Sequence, residues 1–137
     1  MHSYIHKVQY YETDQMKVAH HSNYIRWMEE ARTDYLDSVG VSYAEMERRG
    51  IISPVLTVSC QYRNMTRYGE QVRVETRLTE MGNVRYRLTY RIVDAQTGEL
   101  RAEGESTHCF INPDNRVISL RKADPDAFER MRAKVED

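Results

Sequence analysis

Between residues 11 and 24 the chain sets acids, imidazoles and hydroxyls side by side: Tyr11-Glu12-Thr13-Asp14, then His20-His21-Ser22-Asn23-Tyr24. A carboxylate can attack a polarised carbonyl carbon, or activate a water for that attack. Either route needs a partner for the charge that develops on the carbonyl oxygen. The first turn of a helix supplies one, because its leading N–H groups have no intrahelical acceptor. Asp14 precedes His21 by seven residues, a loop short enough to fold back on a helix that begins near Ser22 and Asn23. An electrophile holder and a base therefore meet in one loop, and the positive helix end favours the charged carboxylate. A lone Asp before a helix equally serves as a cap or turn residue, so spacing alone leaves both roles open.

The other reactive side chains are less organised. His20, His21, Asp14 and His108 could be read as metal ligands, but adjacent side chains diverge on a helix and nothing has the HExxH spacing, so no metal or other cofactor is expected. His21 can still orient a ligand or Asp14. His2 and His6 are expected on a strand surface, and His108 in the core or an interface. Cys60 and Cys109 form no CxxC pair and are expected to be buried free thiols.

These groups need a scaffold, and the apolar periodicity outlines one. Tyr24, Trp27, Met28, Ala31, Tyr35 and Val39 recur at helical spacing, Ser22 or Asn23 can cap the start, and Gly40 can end it, which predicts a helix over 23–39. A strand is expected over about 3–11, a short helix over 43–49 closed by Gly50, and a C-terminal helix over 125–135. Four segments alternate as half-buried strands do: 55–62, 71–80, 84–92 and 100–110. Short turns between them predict an antiparallel meander with the long helix packed on one face, an α+β arrangement. The opposite faces carry Arg and Glu, which can pair across strands on a solvated surface.

Composition narrows the function further. A chain of 137 residues with 40% hydrophobic and 30% charged residues has the length and balance of one globular domain. Twenty Lys+Arg against twenty-one Asp+Glu give a net charge of -1, without the basic excess that draws proteins onto nucleic acid. No apolar run approaches the roughly 18 residues of a membrane span, and the first residues lack the pattern of an export signal, so the cytoplasm is the expected compartment.

Residues 10–40, YYETDQMKVAHHSNYIRWMEEARTDYLDSVG, strongly resemble the opening of the 4-hydroxybenzoyl-CoA thioesterase-like and YbgC-like acyl-CoA thioesterases. There a [YF]xETDxMGVVxHxNY-type segment precedes a long helix wrapped by an antiparallel sheet, the hotdog fold. Residues 57–72, TVSCQYRNMTRYGEQV, resemble that family's strand and its YxxPAxYGD-type turn. The resemblance implies a single hotdog domain over 1–137 with a five-stranded sheet, hydrolysing a small acyl-CoA thioester, with acyl carrier protein as an alternative carrier. By position it makes Asp14 the nucleophile or general base, puts the His21 backbone N–H on the thioester carbonyl, and makes Tyr24 the helix aromatic beside the substrate. Arg63 and Arg67, flanking the resembling turn, become partners for the CoA phosphates, with Arg85 or Arg87 as alternatives. A homodimer or homotetramer with sites at subunit interfaces is also implied. The chain departs from the pattern with Lys17 in place of a Gly, Met65-Thr66 in place of Pro-Ala, and Glu70 in place of Asp. Two other readings keep the fold: an acyl-thioester binding or regulatory module, and a dehydratase.

Overall fold

Apolar residues at helical spacing close Ser22–Ser38 into the long helix α1, and in the computed structural model, which describes residues 1–136, this helix lies on the sheet that forms the rest of the core. Tyr24, Trp27, Met28, Ala31, Tyr35 and Leu36 are buried, against Val72, Val74, Leu88, Ile92 and Ala102 of the strands. Burial of each large side chain contributes roughly 1.5–3 kcal/mol. Gly40, at φ +78, ends the helix as expected. The short helix α2 follows at Tyr43–Arg48, capped by the Ser42 side chain.

The sheet comprises β1 (His2–Lys7), β2 (Val55–Tyr62), β3 (Gln71–Met81), β4 (Arg85–Asp94) and β5 (Leu100–Cys109). Its order is β1-β3-β4-β5-β2, and the paired strands run antiparallel. The predicted meander therefore holds for β3, β4 and β5, and fails for β2. Two tight turns force the first three together, whereas residues 63–70 form a connection long enough to cross the intervening strands. On its way this connection passes the start of α1, where the Ala19 N–H donates to the Thr66 carbonyl at 2.7 Å. At the far edge β2 covers little, so Leu56 (45% exposed), Val58 (42%) and Tyr62 (46%) are open to solvent instead of half-buried.

Four further expectations change. The first strand stops at Lys7, and Tyr10–Glu12 form a turn of 3-10 helix instead of extending it, because the Glu12 side chain reaches back to the Gln9 N–H at 2.8 Å. His6 is not a surface residue: its ring lies 5.0 Å from that of Trp27, and His2 likewise turns to α1, meeting Asp34 at 2.5 Å. Cys109 is buried, but Cys60 only half so. The C-terminal helix appears as a single turn, α3 (Leu120–Ala123), then α4 (Pro125–Arg132).

Several polar groups inside the core are joined. Arg32, on α1, donates from Nη2 to the Ser53 carbonyl at 2.7 Å and from Nε to the Tyr86 hydroxyl at 3.2 Å. His108 stacks on Tyr86 at 4.7 Å and accepts or donates at Ser106 Oγ, 2.7 Å from its Nε2. Gly104, in the middle of β5, has no side chain because a Cβ there would stand 2.4 Å from Met28 Cε and 2.5 Å from the Ser59 carbonyl.

Two predictions arise from these features. Burial, aided by the Arg32 guanidinium, pushes the His108 imidazole down to about 3 from an ordinary 6.5. Between those values the unfolded chain binds a proton that the folded chain does not, so stability falls as pH drops, by up to about 1.4 kcal/mol per pH unit. Urea unfolding between pH 7 and 5 should show a shallower pH dependence for His108→Gln than for the wild type; parallel curves would contradict this. Lys17 adopts φ +65, a left-handed conformation that a side chain makes costly. Lys17→Gly should gain about 1 kcal/mol, a rise of about 3 °C in Tm, while Lys17→Ala keeps the strain and gains nothing.

Candidate active site

The loop carrying Asp14 is closed at its base by an antiparallel bridge between Thr13 and Ala19. Inside it the Asp14 N–H donates to the Val18 carbonyl and the Lys17 N–H to the Asp14 carbonyl, both at 2.9 Å. Lys17 stands in this turn at φ +65, where the backbone favours a Gly. Asp14 is half-buried, and its Oδ1 accepts the Met16 N–H at 2.8 Å. Among the described residues no cation pairs with it.

Glu12 anchors both the loop and the helix start. Its carboxylate accepts from Gln9 N–H and His6 Nε2, each at 2.8 Å, and from Trp27 Nε1 at 2.8 Å. Its backbone carbonyl accepts the His20 N–H at 2.8 Å and Asn23 Nδ2 at 2.8 Å. Burial opposes its charge, but the Gln9 amide, His6 and Trp27 outweigh that and hold the Glu12 carboxyl below the ordinary carboxylate range. The start of α1 is thereby fixed against the end of the 3-10 turn. The Ser22 N–H is taken by His20 Nδ1 at 3.2 Å and the Asn23 N–H by the His20 carbonyl at 3.0 Å. Among the described residues the His21 N–H has no acceptor.

Asp14 and His21 open onto the same cleft, of about 280 Å³, which Tyr24, Tyr62, Arg63 and Met65 also line. The Tyr24 hydroxyl donates to Thr66 Oγ1 at 3.0 Å, and burial raises its pKa, so its ring and not its O–H is offered to a ligand. Tyr62 donates to the His21 carbonyl at 3.0 Å and meets the Tyr24 ring edge-on at 5.2 Å. A carboxylate, an open amide and a largely apolar wall are what carbonyl chemistry on an acyl group requires.

Of the residues singled out by sequence, the structure brings Asp14, His21, Tyr24 and Arg63 together. Arg67 does not line the cleft; it sits on the adjoining turn, bridged to Val18. Arg85 pairs in register with Cys109, whereas the cleft end of β2 pairs Tyr62 with Ala102, so Arg85 and Arg87 belong to the other end of the sheet. Arg87 is occupied by Glu105 at 2.8 Å. His108 lies in the core and shares no cluster with Asp14 and the paired histidines.

Sequence reasoning misses the residues that shape the mouth. Arg101, assigned by alternation to a wet face, is buried; its Nη1 donates to the Met65 carbonyl at 2.8 Å and to Glu70 at 3.0 Å. Glu70 also accepts the Arg67 N–H at 2.6 Å, and Arg101 holds its carboxyl below the ordinary range. The departure from Asp to Glu at position 70 is thus matched by a partner 31 residues away, which local spacing does not reveal. Tyr62 and Thr66 carried no chemical signal of their own.

The profile of the Thioesterase-like superfamily matches residues 8–134. The solved structure of DHNA-CoA thioesterase from Staphylococcus aureus is 36% identical and superposes with a TM-score of 0.89, over 96% of this chain and 90% of that one. A Bacillus subtilis (strain 168) protein, provisionally named acyl-CoA thioesterase YneP, is 34% identical over 128 residues, 90% of this chain and 92% of its own. The fold also matches 1,4-dihydroxy-2-naphthoyl-CoA thioesterase from Synechocystis, with a TM-score of 0.83 and 21% identity over 92% of this chain and 93% of that one. With a long helix embraced by five antiparallel strands, this chain belongs to the thioesterase-like superfamily of the hotdog fold.

Proposed function

We propose that this protein hydrolyses a small acyl-CoA thioester to the free acid and CoA, working as a single domain. One observation carries the reading: Asp14, with no ionic partner among the described residues, lines one cleft with His21, whose backbone N–H has no acceptor among those residues. The thioester oxygen accepts from the His21 N–H, which draws electron density from the carbonyl carbon. In one route Asp14 attacks that carbon, the C–S bond breaks, the CoA thiolate takes a proton from solvent, and water then cleaves the mixed anhydride to the acid and free Asp14. In the other, Asp14 takes a proton from a water that attacks the carbon and returns it to the sulfur as the C–S bond breaks.

The substrate class follows from the walls. About 280 Å³ is at the small end of ligand pockets, and Met16, Tyr24, Tyr62 and Met65 suit an apolar or aromatic acyl group. That the Staphylococcus relative is named for DHNA-CoA supports an aromatic one. Arg63, on the cleft wall and sharing its guanidinium with Glu103 at 3.2 Å, would meet the CoA phosphates, and Arg67 lies beyond it on the next turn. The carrier in this reading is CoA, and the compartment is the cytoplasm.

The protein assembles through β2. An eight-residue edge strand with exposed Leu56, Val58 and Tyr62 invites pairing and is rarely left uncovered. A second copy paired there would extend the sheet and stand beside Tyr62 and Arg63, completing the cleft at a subunit interface.

Three outcomes are expected. In a thiol-release screen over aromatic and aliphatic acyl-CoAs, Asp14→Asn should lower kcat by about 100-fold or more; equal rates, or tight binding without thiol release, would point to a binding module. Single turnover in oxygen-18 water should place label in the Asp14 carboxylate if an anhydride forms and water attacks it at the Asp14 carbon; label only in the product acid, with no hydroxylamine-trapped acyl-enzyme, is the outcome of direct water attack. By sedimentation the wild type should be a dimer or larger, and Val58→Lys should shift it towards the monomer; a monomeric wild type would overturn the assembly.

A further inference from the structure

We infer that Glu12 is the positioning residue that keeps Asp14 in register with the N-terminus of α1, an inference that rests on the site proposed above. Its two ends bind opposite halves of that site. The side chain is tied to β1 through His6, to the 3-10 turn through the Gln9 amide, and to the second turn of α1 through Trp27. The main-chain carbonyl is tied to His20 and Asn23, the residues on either side of the His21–Ser22 helix start. Asp14 is two residues further on. A displacement of Glu12 therefore moves the acid loop and the helix amides relative to each other, not as one body.

The charge is what makes the tie specific. Oε1 accepts from two donors and Oε2 from a third, so each carboxylate oxygen faces N–H groups in a 5% exposed site. An amide in its place must turn its own NH2 towards either the Gln9 N–H or the Trp27 N–H, donor against donor. His6 is itself held from behind, its Nδ1 lying 3.3 Å from Glu30 Oε2 on α1. The charged and titratable groups facing Glu12 are thus His6 from β1 and, through it, Glu30 from α1. Misplacement of reacting groups by about 1 Å can cost on the order of a hundredfold in rate.

Trp27 is the chain's single tryptophan, so its fluorescence reports directly on the bond to Glu12. The test measures kcat, KM and circular dichroism for wild type, Glu12→Gln, Trp27→Phe, the double variant and Asp14→Asn, with benzoyl-CoA or the fastest acyl-CoA of the screen, and Trp27 emission for the three that keep the tryptophan. Glu12→Gln should fold, shift the emission, and lose about 10- to 100-fold in kcat with KM within about threefold of the wild type. Trp27→Phe should lose less, and the double variant no more than Glu12→Gln alone, because both act through one bond. A folded Glu12→Gln with wild-type kcat, or one whose loss lies entirely in KM, overturns the positioning role. Should Glu12→Gln fail to fold, a folded Trp27→Phe at wild-type kcat overturns it and a several-fold kcat loss supports it. An inactive Asp14→Asn beside a fully active Glu12→Gln sinks only the positioning role, whereas a fully active Asp14→Asn sinks the site and this inference together.

Discussion

The Glu12 carboxylate is 5% exposed and keeps its charge because three N–H groups, from Gln9, His6 and Trp27, converge on it at 2.8 Å. A buried charge is tolerable only when its lone pairs are satisfied, and the groups that satisfy this one come from three different pieces of chain. Satisfying it brings β1, the 3-10 turn and α1 to fixed positions. The short strand, the abrupt turn at Tyr10 and the inward-facing His6, none of which the alternation of Met1–Tyr11 predicts, are all consequences of that single requirement.

From this anchor the cleft is built outward by two loops. Residues 13–19 carry the acid, and residues 63–70 form the opposite wall, joined to the first loop at Ala19–Thr66 and held from the sheet by Arg101. At Met65-Thr66, the Thr66 hydroxyl accepts the Tyr24 O–H, and its backbone carbonyl accepts the Ala19 N–H. The Met65 side chain, 52% exposed, is left at the mouth as an adaptable apolar surface.

Much of this was legible in the chain because it depends on local periodicity. The stripe from Tyr24 to Tyr35, the alternation of β3 and β4, and the Asp14-to-His21 interval each express one element's geometry. What stayed hidden depends on partners far apart in sequence. Alternation assigns Arg101 to solvent since it cannot register Glu70 and Asp94 arriving to cover it. The β2 segment has a strand's pattern, but no local signal says that its neighbour is β5 instead of β3. Lys17 shows the complementary case: the residue type argues against a left-handed backbone, and the loop's hydrogen bonds impose one.

Met28 rests directly over Gly104, where even one added carbon would collide with the helix from beneath and with the Ser59 carbonyl from the side. Strand β5 thereby fixes how deep α1 sits, and hence the height of its leading amides above the sheet. Enlarging the floor of the molecule is closed as a route to a new acyl group. Divergence of specificity in such a scaffold must come from the rim, by exchanging side chains on the two mouth loops while the bed under the helix stays bare.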